Sequence, residues 1–291
     1  MAPGWDMGTT LSAPLGGLGR DGMVTVPMSF PAGFHIEQRS AASPTGQSVI
    51  LVHGSLDRAE SFRRVMRRLP DVDVVAYDRR GYQGSREAGV VGLSGHIDDL
   101  VAVAAAVRAG GGAERVVAVG HSLGGDVVVG AAIADPDAFD SIGAFEPPMP
   151  WLGFRRNQPG DGRPRGWTPM AEDPAEEAER FFSRMVSPTA WLRLTDEGRE
   201  SRRRDGSALV ADLSSVRNEA PFDVMALTVP AVFGMGGSES HSHHRNGVSW
   251  LGSHVPGAVA YEISGAQHGA HLSHPDHFAQ FVRTVLERAL P

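Results

Sequence analysis

From about residue 48 onward, short runs of consecutive apolar residues alternate with longer stretches in which apolar positions recur every three or four residues. The runs SVILVHG (48–54), VDVVAYD (72–78), RVVAVGHS (115–122) and SIGAFEP (141–147) are apolar on successive rather than alternate residues. That is the pattern of strands covered by helices on both faces. Between them, GHIDDLVAVAAAVRAGG (95–111) carries Asp98 and Asp99 near its front and glycines at its back, which predicts a helix with ordinary start and stop signals. LGGDVVVGAAIADP (123–136) predicts a second helix leading straight out of a strand. Strands that alternate with helices in this way make parallel sheets with crossover helices.

The pattern breaks between about Trp151 and Asn218. A Pro/Gly/Arg-rich stretch is followed there by AEEAERFFSRMV (175–186) and a charged helical pattern over 195–217. Strand-like runs resume with VPAVFGMGG (229–237) and AVAYEISGA (258–266), and an amphipathic helix, HFAQFVRTVLERAL (277–290), follows. Upstream, MVTVP and FHIEQRS predict two antiparallel edge strands. The expected organisation is a leader over 1–21, an α/β core made of 22–150 and 222–291, and a helical cap over 151–221.

Composition narrows the functions open to this chain. It has 291 residues, 41% of them hydrophobic and 21% charged, enough apolar material for a sizeable core. A net charge of −7 makes nucleic acid an unexpected partner. With no cysteine, thiolate chemistry and disulfides are excluded. The first 22 residues lack a basic start followed by an apolar run, and no stretch approaches the roughly 18 apolar residues that span a bilayer. The expectation is a cytoplasmic protein with no membrane partner; the oligomeric state stays open.

Gly120-His121-Ser122-Leu123-Gly124 fits G-x-S-x-G, directly after a buried strand and directly before a helix. A turn that sharp strains the serine backbone, glycines on either side relieve the crowding, and the serine projects above the sheet as a nucleophile. The first N–H groups of the following helix are unpaired, so the Leu123 N–H is placed to stabilise an oxyanion.

These residues resemble the α/β-hydrolase family over roughly 45–150 and 222–290. Leu51-Val52-His53-Gly54 is similar to the family's His-Gly turn, and Asp78-Arg79-Arg80-Gly81-Tyr82-Gln83-Gly84-Ser85 to its D-x-R-G-x-G-x-S turn, with Gln83 where the middle glycine is usual. The resemblance implies a mostly parallel, doubly wound sheet with a helical cap. It also makes the Ser55 N–H the second oxyanion donor, with Leu56 the substitute, and leaves Asp78 and Arg79 as structural turn residues.

Among 12 histidines, His268 stands out because it follows a strand, in SGAQHGAHLSHPDHF, at the sheet edge where the nucleophile turn must also lie. The segment resembles the family's last loop, with Gln267 in place of a glycine. His268 is therefore the expected general base, ahead of His271, His274 and His277. The family's chain order of serine, acid, histidine points to Glu239, after the strand ending near Met235. Glu146, just past the strand at 141–145, is the alternative, since some members carry the acid there; if it is not the acid, it lines the pocket.

The insertion holds Trp151, Trp167, Trp191, Phe154, Phe181, Phe182 and Met185, which reads as an apolar cap over the site. His53, His121, Glu146 and Trp151 are the expected pocket residues for a small, largely apolar, ester-like substrate. The same three groups serve esterases, thioesterases, lactonases, C–C bond hydrolases and cofactor-free haloperoxidases, and a non-catalytic receptor of the same fold is the alternative of another class. Serine at position 122 argues against haloalkane dehalogenase and epoxide hydrolase chemistry, which use aspartate there. Neither a nucleotide loop nor a cofactor is implied, and the spacing of Glu239, His241, His243 and His244 does not predict a metal site.

Overall fold

A computed structural model describes residues 28–43, 45–110, 112–154, 170–217 and 220–289. The expected leader, the MVTVP strand and Trp167 lie outside these residues. Seven strands form one sheet in the order β1-β3-β2-β4-β5-β6-β7: β1 Ile36–Arg39, β2 Gln47–Val52, β3 Asp73–Tyr77, β4 Arg115–His121, β5 Ser141–Phe145, β6 Ala231–Gly236 and β7 Ala258–Ile263. Only β1 is antiparallel; it runs beside β3 at the edge.

Alternate residues of each strand face opposite layers. Val116 and Ala118 of β4 join one apolar cluster, with α2 (Leu93–Ala109), α3 (Leu123–Ala134) and α8 (Ser242–His254). Val117 and Val119 join the other, with α1 (Arg63–Met66) and α10 (Pro275–Arg288). Burial on both faces is why these strands show no polar alternation. The short α9 (Ala270–Ser273) precedes α10.

The cap helices lie between β5 and β6: α4 Pro174–Met185, α5 Pro188–Arg193, α6 Asp196–Arg204 and α7 Gly206–Ser215. Asp173, Ser187 and Thr195 cap the first three, each accepting a backbone N–H with its side chain. Apolar packing and a buried carboxylate help to seat the cap. Leu56 and Tyr82 of the core pack with Ala178, Ala208 and Leu209 of the cap. Asp212 of α7, fully buried, takes both terminal nitrogens of Arg79 at 3.1 and 2.8 Å, Ser55 Oγ at 2.8 Å, and the Tyr82 hydroxyl. It also faces His96 Nε2 at 3.1 Å.

Gln83 follows the same logic. It adopts a left-handed φ of 43°, where glycine would be unstrained. Its side-chain and backbone N–H groups both donate to Asp205 between α6 and α7. The departure from glycine therefore gives the core turn a second tie to the cap.

Candidate active site

Ser122 directly follows β4 with φ 54° and ψ −129°, a strained conformation for a residue with a Cβ. The surrounding backbone leaves no alternative to glycine: a Cβ on Gly120 would lie 2.0 Å from the Gly124 carbonyl oxygen, and one on Gly124 would lie 2.3 Å from that of Val52. The turn after β2 passes beside Ser122, since a Cβ on Gly54 would come within 2.9 Å of Ser122 Cβ. Leu123 opens α3, so its N–H has no partner within the helix. Leu56 has a left-handed φ of 54°, and the Ser55 side chain is tied to Asp212 of the cap.

His268 lies in the loop after β7, with Nδ1 2.7 Å from Glu146 Oε2. Glu146 leaves β5 at a left-handed φ of 46°, and its carboxylate is fully buried. The other oxygen, Oε1, accepts the Gly236 N–H at 2.8 Å and the Ser240 hydroxyl at 2.5 Å. Burial would raise this carboxyl, but the hydrogen bond and charge of His268, with Ser240 and the Gly236 N–H, outweigh it and hold Glu146 below the usual range. Among the described residues, no hydrogen bond joins Ser122 Oγ to His268 Nε2. Such bonds often tighten only around substrate.

Glu239, the expected acid, is exposed and has no bond to His268. The loop after β6 turns Ser240 inward instead, and Ser240 supports the carboxylate that does reach the imidazole. The parallel register explains this placement: His121 pairs with Phe145, so Ser122 and Glu146 leave neighbouring strands at the same level.

His53, expected in the pocket, is packed inside the core. It is fully buried, with Nδ1 on the Gly54 carbonyl at 2.7 Å and Nε2 accepting the Arg79 N–H at 2.9 Å. Burial first, and the Arg79 charge second, lower its pKa to about 4. His121 is also buried. Its Nε2 contacts the His268 carbonyl at 2.8 Å, and burial, then the neighbouring His271 and His268, push its pKa well below the ordinary value. Trp151 packs edge-on against Phe222 at 5.2 Å. Asp78 holds its turn by accepting the N–H groups of Ala59 and Gly84.

Two further histidines, His244 and His271, also flank the site. His244 of α8 stacks on the His268 ring, centroids 4.6 Å apart and planes 16° from parallel. His271, one of the considered bases, is buried with Nε2 3.1 Å from Asp57 Oδ2, on the far end of a run of rings. No local pattern marks either residue, since each acquires its role from contacts distant in the chain.

A model of the alpha/beta hydrolase family matches residues 49–281. Among curated proteins, Lipase LipV of Mycobacterium tuberculosis is 29% identical over 121 residues, covering 42% of this chain and 44% of that protein. The chain thus spans less than half the length of the curated relatives it matches. Among solved structures, MenH from S. aureus superposes with a TM-score of 0.65 at 13% identity, covering 88% of this chain and 99% of that one. The N-formylmaleamic acid deformylase of Pseudomonas putida S16 gives 0.61 at 23% identity, covering 86% and 95%. Identities this low reflect a shared fold.

Proposed function

The chain belongs to the alpha/beta hydrolase family, and from that and the groups around Ser122 we propose that it is a serine hydrolase acting on a small, largely apolar carboxylic ester. The observation that carries this reading is the 2.7 Å contact of buried Glu146 with His268 Nδ1, on the strand next to a strained Ser122. A carboxylate fixed on Nδ1 puts the proton there and leaves Nε2 with its lone pair for the serine.

In the proposed reaction, Ser122 Oγ attacks the ester carbonyl carbon as its proton passes to His268 Nε2. The carbonyl π electrons move onto oxygen, and the N–H groups of Leu123 and Ser55 stabilise that oxyanion. Collapse breaks the bond to the alkoxide, which takes the proton from His268 and leaves Ser122 acylated. Water then repeats the sequence, giving up its proton to His268, and the acid product departs as Ser122 is restored. Glu146 stays ionised throughout and stabilises the imidazolium. Neighbours named as a lipase and a deformylase support acyl transfer as the reaction class.

Wild type and Ser122→Ala are to be compared with short- and medium-chain p-nitrophenyl esters and with a fluorophosphonate probe. Turnover and labelling by wild type alone support the reading. A folded wild type that is neither labelled nor active would favour a receptor of the same fold.

A further inference from the structure

We propose that Asp57, His121 and His271 form a binding site for a divalent transition-metal ion, of which zinc is the best match. Their donor atoms lie within 4.8 Å of one another, and the three residues come from three separate elements: the turn after β2, the end of β4, and α9.

Asp57 Oδ2 and His271 Nε2 stand 3.1 Å apart. Two ligands each ~2.1 Å from one ion and subtending about 95° would be separated by about that distance. His121 brings the stronger signal. With Nε2 on the His268 carbonyl, its other nitrogen, Nδ1, is buried and has no hydrogen-bond partner among the described residues. A polar atom desolvated without compensation is costly, and an ion offsets that cost.

The surroundings are those of a supported metal site. Ligating imidazoles typically donate their second N–H to a carbonyl or carboxylate, as His121 does to the His268 carbonyl. Ser61 Oγ orients Asp57 by donating to Oδ2 at 3.2 Å. Phe62 and Phe278 pack on the His271 ring at 5.0 and 5.9 Å, forming an apolar shell. The Asp57 side chain keeps 20% of its surface exposed, against 2% for His271, and so provides a way in for the ion. Two imidazoles and one carboxylate suit zinc, with a position left for water. Bound there, the ion clamps α9 to the turn after β2. None of this depends on the hydrolase reading.

The test is calorimetric titration of zinc ion into the metal-stripped full chain, with Asp57→Asn and His271→Gln, which keep size and polarity. A His241→Ala/His244→Ala variant removes imidazoles from the start of α8. One ion per chain is expected, with affinity falling at least about tenfold in each of the first two variants and staying within about threefold in the third. Tm should rise by about 5 °C at a hundredfold excess over Kd in wild type. Circular dichroism of each metal-free variant confirms folding, and either of the first two suffices if the other unfolds. Absence of binding to wild type, or unchanged affinity in both Asp57→Asn and His271→Gln, would overturn the proposal. So would a loss confined to the α8 variant, which would place the ion on Glu146, His244 and His268 instead.

Discussion

Glu146 Oε2 and His268 Nδ1 lie 2.7 Å apart, although 122 residues separate them in the chain. The contact depends on strand register. β5 ends level with β4, so the residue after Phe145 emerges beside the residue after His121. Both emerge at left-handed φ, and the Glu146 carboxylate reaches the loop after β7.

The turn at Ser122 tolerates no added methyl group. Gly120→Ala would place a Cβ 2.0 Å from the backbone oxygen of Gly124, and neither backbone can move without breaking the strand-to-helix turn. A loss of more than about 3 kcal/mol is expected by urea unfolding. Gly112→Ala, which meets nothing within 4 Å, should change stability by less than about 0.5 kcal/mol.

The cap is seated by a buried charge, and removing that charge strands its partner. Asp212→Ala leaves Arg79, fully buried, without its carboxylate. Breaking such a pair costs about 3–5 kcal/mol. Unfolding midpoints in urea check this, and a loss below about 1 kcal/mol would mean that water reaches the guanidinium once the carboxylate is gone.

Stability should fall as pH drops from 7 to 5. Folding lowers the His53 pKa from 6.5 to about 4, so over that window the unfolded chain takes up a proton that the folded chain refuses. The expected loss from this group is about 2 kcal/mol between pH 7 and pH 5, and buried His121 and His96 act in the same direction. Glu146 and Asp212 are shifted down as carboxylates; their stabilisation is complete above about pH 4, the range of unfolded carboxyls, and is lost in stronger acid. Urea unfolding of wild type and His53→Asn at both pH values should show a shallower fall in the variant. Equal slopes would mean that His53 is protonated in the fold.

The layers of the fold were legible because burial on both faces leaves runs such as VILV and VVAV, which few other arrangements produce. The Ser122 turn was legible because its constraints are local. The partner of His268 was not. Chain order favoured Glu239, but only the path of the loop after β6 decides whether Glu239 or Ser240 faces inward. One local sign did favour Glu146: a carboxylate at the end of a fully buried strand, followed by Pro147 and Pro148. The Asp212 network left no such sign, since Ser55, Arg79, Tyr82 and His96 are all more than 100 residues away from it.

The decisive measurement is kcat for ester hydrolysis by Glu146→Gln and Glu239→Gln, measured beside wild type. If Glu146 fixes the tautomer of His268, its variant should lose about 10³–10⁴ in kcat while Glu239→Gln stays within about twofold. A Glu239→Gln variant that loses activity while Glu146→Gln keeps it would contradict the assignment of Ser122, His268 and Glu146 as the working set.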